Sequence, residues 1–312
     1  MQKILLLSKA FDYANVITID VGSGYARSMG WSYDDLTQIN SHQDKINIID
    51  NRITESECCF LEEYIVSHPD VFFLLKVIDP FKEWCQNHWY YRFLFRVKDR
   101  RNVYFLSTYL PAELVQELNE ATGGEKMVCI PYAFNDTHAV DPRLSNRTHQ
   151  IIFSGNQDRY VYPYRYQFSQ SVRRNVFLWN KVHFLKHPGY PDIHQKLLHS
   201  FIGEKYVEYL AQFKFMFISP SRCGLEFLKY SECAYARCVP VGKLPLSFDS
   251  PLKDLFLELD FDNLARSLKR VFSMPLAELE DLADKYYFHL SRERNPALLN
   301  AQLDHFLEGV VQ

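Results

Sequence analysis

Short apolar runs separated by segments of helical period constrain this chain more than any other feature. Residues 3–8, 46–50, 72–78, 103–108 and 127–131 are each too short for a core helix and too evenly apolar for a half-exposed strand. Between them, Glu55 to Ser67 carries Cys58, Leu61 and Ile65 at helical spacing, with Cys59 beside them. A further helix is expected to open at Pro111 and to end before Gly123-Gly124. Strands alternating with helices at this spacing predict a parallel, doubly wound sheet. The alternation resumes with a strand at 150–154, another within 182–189, and the block 214–246. There the apolar run 215–218 is broken by Ser219-Pro220-Ser221, followed by a short helix expected to begin near Gly224 and by a strand at 239–242. At 312 residues, two domains of ordinary size are expected, 1–147 and 148–312, with 141–147 as the linker.

Composition narrows the function. A net charge of −3 argues against nonspecific nucleic-acid binding by the whole molecule. Seven cysteines without C-x-x-C pairs fit a reducing compartment, and no run approaches the length of a spanning helix, so a cytoplasmic protein is expected. The basic-aromatic run 89–101, WYYRFLFRVKDRR, has two readings. It either docks peripherally on a membrane surface or forms a helix that buries its aromatics under an arginine-rich face.

Several polar groups fall where strands end, which is where doubly wound sheets bind ligands. Gly22-Ser23-Gly24 reads as a loop near a ligand, though it lacks the full G-x-G-x-x-G spacing. Gly155-Asn156 follows the strand at 150–154, and a glycine there lets the backbone approach a phosphate. Arg159 and Arg165 follow, with forks suited to a diphosphate. Lys186-His187-Pro188-Gly189 follows the next strand. Glu226, Lys229 and Glu232 have a second reading as a solvated helix face with one i,i+3 ion pair. Asp260-Phe261-Asp262 looks like a D-x-D metal motif, but it precedes a helix and serves better as its cap.

Glu232, the small residues Ala234 and Ala236, and then Val239-Pro240-Val241 resemble the donor-sugar box of the group 1-like GT-B glycosyltransferases. Ile130-Pro131-Tyr132-Ala133-Phe134-Asn135-Asp136 resembles the turn closing the first domain of that family, and the segment from Gly155 to Arg165 resembles its G-S…Y-P-x-R segment. The family's second glutamate, eight residues before the first, is Gly224 here. The resemblance implies two Rossmann-like α/β domains facing a cleft and transfer of a sugar from a nucleotide-activated donor to a glycan, glycolipid or other acceptor, without metal or other cofactor. It implies a donor set of Gly155, Asn156, Arg159, Arg165, Ser221, Arg222, Gly224, Lys229 and Glu232, with Glu232 on the ribose. Gly22 and Gly24 would lie on the acceptor side, and Lys186 and His187 would assist departure of the phosphate. The last helix would return to brace the first domain. Lys186-His187-Pro188 also resembles the CMP-binding motif of sialyl- and Kdo-type transferases, and a noncatalytic nucleotide- or sugar-binding protein on the same scaffold is the third reading.

Overall fold

The computed structural model describes residues 2–11, 21–77, 87–109, 113–134, 140–189, 198–248 and 250–310. They fall into two compact units, the first built from residues up to Ala133 together with those from Arg294 onward, and the second from those between.

The first unit is a parallel sheet of six strands: β1 (Lys3–Leu7), β2 (Ser32–Asp35), β3 (Ile46–Ile49), β4 (Phe73–Val77), β5 (Val103–Ser107) and β6 (Met127–Cys129), in the order β2-β1-β3-β4-β5-β6. Ile4, Leu5 and Leu6, like Phe73, Leu74 and Leu75, are buried, as apolar runs in a sheet covered on both faces must be. Helices α1 (Ser23–Met29), α2 (Glu55–Ser67), α3 (Trp89–Val97) and α4 (Glu113–Ala121) join them. The α2 boundaries match the sequence reading because Thr54 and Glu57 form a reciprocal cap: the Thr54 side chain accepts the Glu57 amide, and the Glu57 carboxylate accepts the Thr54 amide. Cys58, Leu61 and Ile65 point inward and Cys59 is exposed. In α3 the aromatics Tyr90, Tyr91 and Phe93 are buried, while Arg92 and Arg96 pair with Glu55 and Glu62 of α2 at 3.7 and 2.7 Å. The helix with buried aromatics and an arginine face is present over Trp89–Val97.

One expectation fails here. Gly22-Ser23-Gly24 is not a loop: Gly22, at φ 58°, precedes α1, and Ser23 and Gly24 are buried in its first turn. The edge strand β2 went unread because its sequence, SYDD, is polar and its residues are half-buried or exposed. Pro111, Ile78, and Asn135 with Asp136 lie outside the described residues.

The second unit is a parallel sheet of β7 (Thr148–Ser154), β8 (Val182–Leu185), β9 (Phe213–Ile218), β10 (Val239–Gly242) and β11 (Leu257–Glu258), in the order β11-β10-β9-β7-β8. Its helices are α5 (Pro163–Arg173), α6 (Gly203–Leu210), α7 (Lys229–Tyr235), α8 (Ser250–Asp254), α9 (Leu264–Phe272) and α10 (Leu276–Glu293). The core between sheet and helices is aromatic, with Phe153, Phe168 and Phe217 in mutual ring contact. Residues 141–147 are part of this unit: the buried Arg147 guanidinium donates to the carbonyls of Ala236 (2.6 Å) and Arg237 (3.2 Å). The final helix, α11 (Pro296–Val310), returns to the first unit as expected, through Lys3–Asp304 at 2.6 Å and Trp31 Nε1 to Asn300 Oδ1 at 2.7 Å.

Candidate functional site

In the second sheet, β7 lies between β8 and β9, so the chain reverses its winding direction at the β7–β9 boundary. The carboxyl ends of strands at such a switch point form a crevice suited to ligands. Ser154 and Gly155 end β7 there.

Gly155 has φ 102°, a conformation that glycine adopts without strain. A Cβ at this position would sit 2.9 Å from Lys229 Cε and 3.0 Å from Arg165 Nη1. Two cations from different helices thus converge on one strand-end glycine. Pro163 at the first position of α5 starts that helix and carries Arg165 inward, where the residue is 4% exposed. Arg165 has no hydrogen bond or ion pair among the described residues; its guanidinium lies over the rings of Tyr162 (4.3 Å) and Phe227 (5.5 Å). Burial pulls it below the ordinary arginine value, yet nowhere near neutrality.

Lys229 opens α7. Its ammonium donates to Tyr206 Oη (2.8 Å), Ser154 Oγ (3.2 Å) and Glu232 Oε2 (3.5 Å). Burial lowers its affinity for a proton, but Tyr206 and Glu232 more than offset this and hold it charged. Glu232 is 2% exposed, so the solvated-face reading is wrong for it, although the i,i+3 ion pair of that reading is present. Its Oε1 accepts no hydrogen bond among the described residues, which leaves acceptor capacity at the site. Two cations and one carboxylate leave a net positive charge at the end of β7.

His187 follows β8 and faces the same charges. Its Nδ1 accepts the Gly189 amide at 3.1 Å, so the neutral ring carries its proton on Nε2. Burial, followed by Lys229, Arg165 and His199, lowers its pKa to about 4. At neutral pH this imidazole is therefore uncharged. Lys186 is exposed.

The remaining expected residues divide. Asn156 Oδ1 accepts the Asp158 amide and Asp158 in turn accepts the amides of Tyr160 and Val161, so this loop is held by its own side chains. Arg159 is exposed, 5.8 Å over the Tyr166 ring, and does not share the burial of Arg165. Ser221 Oγ accepts the amides of Cys223 and Leu225, and Arg222 lies 3.9 Å over Tyr160. Gly224 (φ 73°) is a turn glycine whose Cβ would collide with Leu246 at 2.5 Å; the helix begins five residues later than expected, at Lys229. Asp260 accepts the amides of Asp262 and Asn263 in the turn ahead of α9, but the cap residue is Asn263 and no side chain caps the helix, so the cap role expected for Asp260 or Asp262 is not found. Ser154, Tyr206, Tyr162 and Phe227 were not anticipated. Tyr206 and Phe227 sit among ordinary apolar positions, and nothing in their spacing sets them apart.

Neither a protein-family model nor a curated protein matches the chain in sequence. Solved structures do match in shape. An alpha-glucosyltransferase in complex with UDP-glucose and DNA containing an abasic site superposes with a TM-score of 0.65 at 11% identity, over 98% of this chain and 99% of that one. The UDP-forming alpha,alpha-trehalose-phosphate synthase of Burkholderia xenovorans, in complex with glucose-6-phosphate, gives 0.52 at 14% identity, over 91% and 77%. The N-terminal domain of a Candida albicans trehalose-6-phosphate phosphatase gives 0.56 at 11% identity, over 91% and 76%. With its two Rossmann-like parallel sheets, the chain has the GT-B fold.

Proposed function

We propose that the protein is a glycosyltransferase that moves a sugar from a nucleoside-diphosphate donor to an acceptor hydroxyl, with the donor diphosphate against Gly155. The observation that carries this reading is the convergence of Arg165 and Lys229 on that glycine, with Arg165 in no direct ion pair among the described residues. A diphosphate supplies the missing charge, and the bare glycine lets it reach the backbone. Glu232, with Oε1 open, accepts hydrogen bonds from the ribose hydroxyls. Two of the structural neighbours are described with UDP-glucose or as UDP-forming, which favours a diphosphate over the CMP-sugar alternative.

In the reaction, the anomeric carbon breaks its bond to the diphosphate oxygen and forms one to the acceptor oxygen. The acceptor's proton passes to the departing diphosphate. Arg165 and Lys229 stabilise the charge that builds on the leaving oxygen, and their fixed positions avoid reorganisation at that moment. His187 lines the same site as a neutral imidazole. The two cations take the place of a divalent ion, so activity is expected to survive chelation. Incubating the protein with UDP-, GDP-, dTDP- and CMP-sugars, with and without EDTA, tests the reading. Release of nucleoside diphosphate that is unaffected by EDTA and lost in Arg165→Met supports it. Release from CMP-sugars alone, or dependence on added Mg²⁺, overturns it.

A further inference from the structure

An exposed apolar cluster of the second unit lies away from the site just described. Between α5 and β8 a single 3-10 turn, residues Val176–Leu178, is capped by Asn175 Oδ1 accepting the Phe177 amide at 3.1 Å. Leu178 points into the core and anchors the turn. Its neighbours do the opposite: Phe177 is 84% exposed, and Val176 and Trp179 are each 61% exposed. The Trp179 indole is held in place by its N–H, which donates to the Arg173 carbonyl at 3.1 Å. Three large apolar side chains are therefore presented outward by a turn whose own polar groups are satisfied. Contiguous exposed apolar groups of this kind mark interaction surfaces.

The charge around them selects the partner. From Arg173 to Lys181 there is no Asp or Glu and there are three Lys or Arg, within a chain whose net charge is −3. Arg173 and Arg174 directly precede the turn and are exposed. Lys181 follows it and lies 5.3 Å over Phe272, at the end of α9, whose last turn adds exposed Lys269 and Arg270. The turn lies at the amino end of β8, the end of the sheet opposite the donor cations, so a surface docked here leaves Gly155 open.

We infer that residues 173–181 form a membrane-docking knob: Val176, Phe177 and Trp179 insert into the interface of an anionic lipid bilayer while Arg173, Arg174 and Lys181 meet its headgroups. Apolar and aromatic side chains ringed by cations are what an interfacial anchor requires. Stacking platforms for nucleic-acid bases line a charged groove instead, and here the aliphatic Val176 stands beside Phe177 on a protruding turn. Among the described residues no helix is long and apolar enough to cross a membrane, so attachment is peripheral. The inference is independent of the donor reading.

Co-sedimentation of the full chain with phosphatidylcholine vesicles containing about 30 mol % phosphatidylglycerol, and with phosphatidylcholine vesicles alone, tests it. Binding to the anionic vesicles is expected, falling about tenfold or more in Phe177→Ser/Trp179→Ser and in Arg174→Glu, while Arg92→Glu/Arg96→Glu binds like the parent. All these positions are exposed, so folding is checked by thermal melts and survives. Three results overturn the inference. One is binding that ignores the knob substitutions or fails to distinguish the two vesicles. Another is binding to single- or double-stranded oligonucleotides without vesicle binding. The third is a self-association abolished by Phe177→Ser when vesicles are not bound.

Discussion

Each unit buries one cation near the carboxyl end of its sheet, and the two are treated in opposite ways. In the first unit Lys76, on β4, is 1% exposed, and its ammonium meets the fully buried Asp50 carboxylate at 3.3 Å. The rings of Tyr25 and Tyr132 lie 4.8 and 5.3 Å from it. Burial pulls its pKa down, but Asp50 and Tyr132 together hold it above the ordinary lysine value. In the second unit Arg165 has rings beside it and no ion pair among the described residues, Glu232 acting on it only from a distance. A buried charge with its counterion in place is structural, and removing either partner strands the other. A buried charge outside any ion pair is, in the proposed reading, where the donor diphosphate binds.

The largest effect that separates these roles is on stability. Lys76→Met leaves Asp50 charged and buried and is expected to cost about 3–5 kcal/mol, read as a large fall in the denaturation midpoint. Lys76→Met combined with Asp50→Leu should recover much of that loss, since two apolar groups replace a pair. A single variant as stable as the parent would remove the distinction between the units.

Arg165→Met is the matching test in the second unit. It removes an unpaired buried charge, so stability is expected to stay level or to rise. Affinity for a nucleoside diphosphate should fall, by about 10–100-fold if each charge-assisted hydrogen bond contributes about 1.5–3 kcal/mol. Calorimetry on the folded variant separates the two outcomes. Unchanged affinity would return Arg165 to a packing role on Tyr162 and Phe227.

The same contrast explains what the sequence discloses. The strands were legible because parallel strands covered on both faces must be largely apolar, as 4–7 and 73–75 are. The edge strand 32–35 was not, because a polar strand carries no such signal. Helix α2 was legible through Cys58, Leu61 and Ile65 at helical spacing, and its Thr54–Glu57 cap fixes its start, whereas α7 has no side-chain cap and begins five residues after Gly224. At the site, Gly155, Arg165, Lys229 and Glu232 were each named from the chain. Which arginine goes inside was not legible: Arg159 and Arg165 differ in burial only because α5 starts at Pro163 and turns the second of them toward β7. The chain likewise gave no sign that His187 would face Lys229 and Arg165, since those charges come from two other helices.

Glu232→Gln offers a finer test. Glutamine keeps the shape and loses the charge-assisted bonds to the ribose, so nucleoside-diphosphate affinity should drop by about tenfold. Pyrophosphate, which has no ribose, should bind the variant at least as tightly as the parent, because the site has lost a negative charge. A parallel loss for both ligands would show that Glu232 acts only by positioning Lys229.

The smallest effect is on protons. With its folded pKa at about 4, His187 stays neutral while an unfolded histidine takes up a proton below about 6.5. The unfolded state then binds more protons, so the histidine's contribution to stability falls as pH drops from about 6.5 toward 4 and is level above that window. His187→Gln should flatten the acid side of the melting-temperature profile accordingly. A diphosphate bound beside Arg165 and Lys229 reverses the local field and raises the pKa of His187. Nucleoside-diphosphate binding near pH ~5 should therefore take up protons. Calorimetric enthalpies measured in two buffers of different ionisation heat read this uptake directly. No uptake in the parent, or an equal uptake in His187→Gln, would place the bound anion away from His187 and so away from the Arg165–Lys229 pair that lowers its pKa.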